Sequence, residues 1–183
     1  MSDIVRLTFV SHGITDATSA GRFPIDEPLS ARGQRQFDAT VELGSVDTAY
    51  CGPEKRARQT SELLGLRAET VDALADLDCG SWRGSALAAV PPADLALWLT
   101  DASAAPHGGE SVVDVIGRVR RWMDALASQR GRVVAVTHPS VIRAAVLLVL
   151  DAPPKSFWRV DIAPASRTVL HLRGHAWTLR STG

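Results

Sequence analysis

The stretch Ile4-Val5-Arg6-Leu7-Thr8-Phe9-Val10-Ser11-His12-Gly13 decides how the rest of the chain is read. Its first seven residues are mostly β-branched, aliphatic or aromatic, which predicts a buried strand, and Ser11-His12-Gly13 ends that strand in a loop. The pattern recurs downstream. Arg132-Val133-Val134-Ala135-Val136-Thr137 is a near-continuous apolar run, as in a strand covered on both faces; it stops at His138, and Val141 to Leu150 then reads as a helix. In open α/β sheets the carboxyl ends of parallel strands line the ligand crevice, so two histidines placed directly after such strands are expected to face one cavity. Two imidazoles at one crevice suit acid/base or nucleophilic work. The structural alternative is that each histidine only caps its strand or bonds a loop.

Outward from these strands, the pattern predicts alternating elements. Residues 14 to 29 form an ordered excursion over one end of the sheet. Ser30 N-caps a helix to about Leu43, and Val46 to Tyr50 is a short strand that turns at Cys51-Gly52-Pro53. Pro53 opens a helix carrying Arg56, Arg58, Leu63 and Leu64 that closes at Gly65. Residues 76 to 84 are a loop, and 86 to 100 a helix interrupted by Pro91-Pro92. Ser111 and Asp114 offer a capping box ahead of Val112, Val115, Ile116, Val119, Trp122, Met123 and Leu126 at helical spacing. The tail reads as two or three strands, over 158 to 162, 168 to 172 and 176 to 179. Together these predict one domain over residues 1–183: a three-layer α/β/α sandwich with a mostly parallel central sheet and a C-terminal β meander.

Composition narrows the function. Twenty Lys+Arg balance twenty Asp+Glu, so no global field gathers nucleic acid or an acidic membrane, and neither is expected as a partner. Two cysteines, Cys51 and Cys79, fit neither a disulfide scaffold nor a four-ligand zinc site. With no secretory signal and no apolar span, a cytoplasmic protein is expected. Phosphate-loop, dinucleotide, zincin and serine-elbow motifs are all missing, and the residues six positions after Cys51 and Cys79 are Ala57 and Ser85 rather than the arginine of a cysteine phosphatase loop.

Six segments, in order, carry a resemblance. Ser11-His12-Gly13 is followed by Asp26-Glu27-Pro28-Leu29-Ser30-Ala31-Arg32-Gly33-Gln34-Arg35-Gln36, Arg56-Ala57-Arg58-Gln59-Thr60, Asp76-Leu77-Asp78-Cys79-Gly80-Ser81-Trp82-Arg83-Gly84, Gly108-Gly109-Glu110-Ser111 and Val136-Thr137-His138-Pro139-Ser140-Val141-Ile142-Arg143. From Val5 to about Val146 the chain resembles the histidine phosphatase superfamily, which includes the cofactor-dependent phosphoglycerate mutases. The resemblance implies a metal-independent phosphomonoesterase, without a cofactor, acting on a small phosphorylated metabolite. It implies that His12 takes the phosphoryl group, Arg56 and His138 hold its oxygens, and Asp76 stands where a general acid serves the leaving alcohol. Substrate contacts are expected from Ser11, Gly13, Thr15 and Arg22. Ser11 stands where the family pattern has arginine, replacing a forked cation with one neutral donor, and Arg22, Arg83 and Arg143 are candidates for the replacement charge. The alternative is a member of the fold that uses the His12/His138 pocket for binding, or for acid/base chemistry on a substrate without phosphate.

Overall fold

The computed structural model describes residues 4–38 and 43–183. Six strands form one sheet: β1 (Ile4–Ser11), β2 (Thr48–Cys51), β3 (Glu69–Thr70), β4 (Gly131–Thr137), β5 (Arg167–Arg173) and β6 (Ala176–Thr182), in the order β3-β2-β4-β1-β5-β6. The first four are parallel, and β5 and β6 add an antiparallel edge beside β1. The helices are α1 (Asp16–Ser19), α2 (Ala31–Arg35), α3 (Lys55–Leu63), α4 (Pro92–Thr100), α5 (Val112–Leu126) and α6 (Pro139–Val149).

Period-two alternation divides the core between the sheet's two faces. Val5, Leu7 and Phe9 of β1 and Val133 and Ala135 of β4 pack with Val115, Val119, Trp122 and Met123 of α5 and Val141, Ala144 and Ala145 of α6. Val10, Val134 and Val136 point the other way, toward Phe37, Cys51, Leu64 and Leu66. Central strands buried on both faces explain the unbroken apolar runs. The capping box forms as read: Ser111 Oγ accepts from Asp114 N–H at 3.1 Å, and Ser111 N–H donates to Asp114 Oδ2 at 2.9 Å.

Two expectations need correction. The helix expected from Ser30 to about Leu43 ends at Arg35, and part of that span, residues 39–42, lies outside the described residues. Gln36 caps the helix end with αR backbone, and its side-chain Oε1 accepts the Ile14 N–H at 2.8 Å. The strand expected over 158 to 162 is absent; Pro154–Arg159 form a 3-10 turn instead. Both edges of β1 are taken, by β4 and β5, and the Val160 carbonyl accepts from Arg143 Nε at 2.7 Å rather than joining a ladder. Among the described residues no helix is long and apolar enough to cross a membrane.

Candidate active site

Strand register brings the two histidines together. Ser11 pairs with Thr137 across β1 and β4, so His12 and His138 leave the sheet side by side, with ring centroids 5.0 Å apart. His12 Nδ1 lies 2.7 Å from the Gly13 carbonyl, a bond that requires the proton on Nδ1 and leaves the Nε2 lone pair free. His138 is wholly buried, and its Nε2 faces Glu54 Oε2 at 2.7 Å. A glycine is required at position 52, where a Cβ would stand 2.9 Å from His138 Nε2 and 2.7 Å from the Leu74 carbonyl.

The loop behind His12 is pinned by the segment at 26 to 36. Ser30 Oγ donates to the Ile14 carbonyl at 3.0 Å and Gln59 Oε1 accepts from Leu29 N–H at 2.8 Å. Gly33 lies so close to Ile14 that any Cβ would strike the Ile14 carbonyl. Asp26 Oδ1 accepts the Lys55 N–H at 2.7 Å at the start of α3, the helix that carries Arg56.

Arg56 is 2% exposed and donates from Nη1 to the Ile25 carbonyl at 2.8 Å and from Nη2 to Asp76 Oδ2 at 2.7 Å. The other Asp76 oxygen accepts from Ser140 Oγ at 2.6 Å and from Leu77 N–H at 2.8 Å, and His138 Nδ1 stands 3.5 Å from Oδ2. A second arginine braces this loop from α5. Arg118 holds Glu110 through Nε at 2.7 Å and Nη2 at 3.0 Å, and donates to the Ala73 and Asp76 carbonyls at 2.8 and 3.1 Å.

Charge follows from this geometry. Burial, then the neighbouring His138 and Arg56, lower the His12 pKa to about 3, so the imidazole is neutral and nucleophilic at ordinary pH. Burial pushes the Asp76 carboxyl up, but His138, Arg56 and Ser140 outweigh it and hold the group well below the usual carboxylate range. In the ligand-free protein Asp76 is therefore an ionised acceptor. Burial also pushes the Cys79 thiol up to about 12, which rules it out as a ready nucleophile. His12, Asp76 and His138 each offer one potential metal-ligand atom, all within 4.8 Å of one another, although Arg56 already serves as counter-ion to the Asp76 carboxylate.

The model of the histidine phosphatase superfamily (branch 1) matches residues 7–183. The chain belongs to that superfamily. It is 30% identical over 179 residues to the bifunctional protein Rv2228c of Mycobacterium tuberculosis, covering 90% of this chain and 49% of that protein, so it spans about half the length of the first curated relatives it matches. It is 31% identical over 192 residues to the glucosyl-3-phosphoglycerate phosphatase of Mycolicibacterium vanbaalenii, covering 93% of this chain and 84% of that one. The solved mycobacterial glucosyl-3-phosphoglycerate phosphatase in complex with VO3 superimposes with a TM-score of 0.84 at 30% identity, over 96% of each chain.

In this histidine phosphatase superfamily member, a cavity of about 420 Å³ opens over the site, and its lining includes Ser11, His12, Arg56 and Asp76. His138 sits behind that wall. Gly13 is buried and donates from its backbone to Thr60 Oγ1 at 3.3 Å, and Thr15 is buried as the N-cap of α1; Thr18, three residues on, reaches the cavity in its place. Arg22 is exposed, with its backbone held in a bridge to Ala86, and does not line the cavity. Arg83 pairs with Asp78 at 2.9 Å on the surface. Of the three candidates for the replacement charge, Arg143 is the one on the cavity wall.

Sequence reasoning missed several residues here. Glu54, the N-cap of α3, is the principal partner of His138 and also accepts the Asp76 N–H at 2.8 Å, and no motif marks it in the sequence. Trp98, Trp158 and Asp161 line the cavity without a motif to announce them. Trp82, by contrast, is a buried anchor packed on Phe23, Trp98 and His107.

Proposed function

We propose that the chain is a metal-independent phosphomonoesterase whose nucleophile is His12 Nε2. Superfamily membership and the phosphatase relatives support a hydrolase of phosphoric monoesters. The observation that carries the reading further is the state of His12: a buried neutral imidazole, its Nδ1–H committed to Gly13, beside the buried guanidinium of Arg56, whose Nε has no hydrogen-bond partner among the described residues. The Ser11 hydroxyl is likewise buried and unpartnered. Both are donors suited to the oxygens of a phosphoryl group.

In the first step the Nε2 lone pair attacks phosphorus, the P–O ester bond breaks, and the leaving oxygen takes a proton from the Asp76 carboxyl. In the second, water attacks the phosphohistidine, gives its proton to Asp76, and the P–N bond breaks to release phosphate. Asp76 must first be protonated. An arriving phosphate draws Arg56 toward itself and sets negative charge beside the carboxylate, and both effects raise the carboxyl's proton affinity. The natural substrate on this reading is a small phosphorylated metabolite.

A second reading has one observation in its favour. At the reaction centre the carboxylates of Asp76 and Glu54 oppose the guanidinium of Arg56, with Arg143 farther along the wall, so this pocket is modestly charged for a phosphate dianion and suits a repurposed site binding another ligand. Phosphate release from a panel of phosphomonoesters in the presence of a chelator separates the two. Chelator-insensitive turnover, inhibited by vanadate and abolished in His12→Ala, is the expected result; no turnover of any ester, or turnover only with added divalent metal, would overturn the first reading.

A further inference from the structure

The cavity extends well beyond the groups that would handle phosphate. Ser11, His12, Arg56, Asp76 and Ser140 form one part of its lining, and most of the remainder is apolar: Phe23, Pro24, Trp98, Trp158, Ile162 and Pro164. Phosphate itself has no use for such a wall, which instead matches rings or hydrocarbon on the alcohol that departs. Away from the reaction centre the lining carries two charged groups, Arg143 and Asp161.

Arg143 is held in place, and the carboxylates of Asp161 and Asp76 only partly offset the burial of its charge. It lies on α6 five residues after His138, and helical side chains lean back toward the helix N-terminus, here toward the site. Its Nε donates to the Val160 carbonyl at 2.7 Å, and its guanidinium carbon stands 5.5 Å from the Trp158 ring centroid and 5.8 Å from that of Phe157. Among the described residues it forms no ion pair, and its terminal amino groups are not among the fully buried atoms. Burial disfavours its charge, a cost that an incoming carboxylate would offset. A fixed guanidinium edge suits a carboxylate through two parallel bonds, while the neighbouring indole faces suit a ring. Asp161 is exposed on the same wall and repels a second negative group.

Resting on the phosphomonoesterase reading, we propose that Arg143 is a specificity-determining residue: the substrate is the phosphate ester of a largely apolar, ring-bearing alcohol with one carboxylate, which Arg143 binds against Trp98 and Trp158.

The test compares phenyl phosphate with its 3- and 4-carboxymethyl derivatives, whose leaving phenols are closely matched in acidity. In the wild-type protein, kcat/KM for at least one carboxylate ester should exceed that for phenyl phosphate by about tenfold or more, the worth of one charge-assisted contact. Arg143→Gln should bring that ratio to about one, and Arg143→Lys, which keeps the charge, should restore part of it. A wild-type ratio near one overturns the proposal. So does a ratio unchanged in Arg143→Gln, including a parallel fall of all esters, which would assign Arg143 to the phosphate. If Arg143→Gln does not fold, Asp161→Asn reads the same electrostatics with opposite sign: the ratio should rise, and an unmoved ratio counts against the proposal. If the wild type hydrolyses none of the esters, the phosphatase reading fails, and Arg143 is judged by titrating tryptophan fluorescence with 3- and 4-hydroxyphenylacetate. Binding weakened about tenfold in Arg143→Gln sustains the carboxylate site; equal binding, or none to the wild type, overturns it.

Discussion

Asp76 accepts hydrogen bonds from a guanidinium, a hydroxyl and a backbone N–H, so the residue expected to give a proton is held as an anion. Its contribution as an acid must therefore depend on how badly the leaving group needs a proton. A nitrophenolate leaves unaided, whereas an alkoxide does not. Asp76→Asn keeps an oxygen acceptor but can no longer supply the proton. We expect kcat/KM, which reports the leaving-group step alone, to fall by about a hundredfold or more on an alkyl phosphate, the usual range for a general acid, and far less on p-nitrophenyl phosphate. Equal losses on both esters in steady-state assays would give Asp76 a purely positioning role through Arg56. Ser11 acts at the same scale: its buried hydroxyl contributes one neutral donor to the cavity where a guanidinium would contribute a charge.

Elements turn these side chains into a site. Strands β1 and β4 deliver the histidines, the start of α3 delivers Glu54 and Arg56, and α5 braces the Asp76 loop through Arg118. Glu54→Gln tests the α3 contribution. The amide still reaches His138 Nε2 but removes the negative charge beside the ring, so kcat should fall by about tenfold, with the melting temperature moving little. A variant with full activity would remove Glu54 from the account. The parts of this framework that were legible in the sequence are local. An apolar run that stops at a histidine marks both the strand and the residue it delivers, and the Ser111 capping box marks the start of α5. Glu54 was not legible because its partner His138 lies 84 residues away. Trp98, Trp158 and Arg143 come from α4, the 3-10 turn at 154–159 and α6, and only tertiary packing joins them on one wall. The strand misread over 158 to 162 has the aromatic and β-branched composition of a strand, but both edges of β1 are already taken by β4 and β5.

For the whole molecule, burying a neutral imidazole ties stability to pH. His12 binds a proton at about 6.5 when unfolded and only near pH 3 when folded, so the unfolded state takes up the proton first as pH falls. Its contribution is complete above pH 6.5 and is lost at up to about 1.4 kcal/mol per pH unit toward pH 3. Between pH 6.5 and 4.5, above the range of Asp76 and Glu54, urea denaturation should show His12→Ala losing less stability than the wild type; identical slopes would mean the ring is not held neutral. In the proposed reaction this ring also carries the phosphoryl group. Rapid quenching in alkali during turnover, followed by peptide mass spectrometry, tests it most directly. One acid-labile phosphoryl group on His12 is expected, absent from His12→Ala, which has no turnover. Turnover without a phosphorylated His12, or activity that survives in His12→Ala, would contradict it.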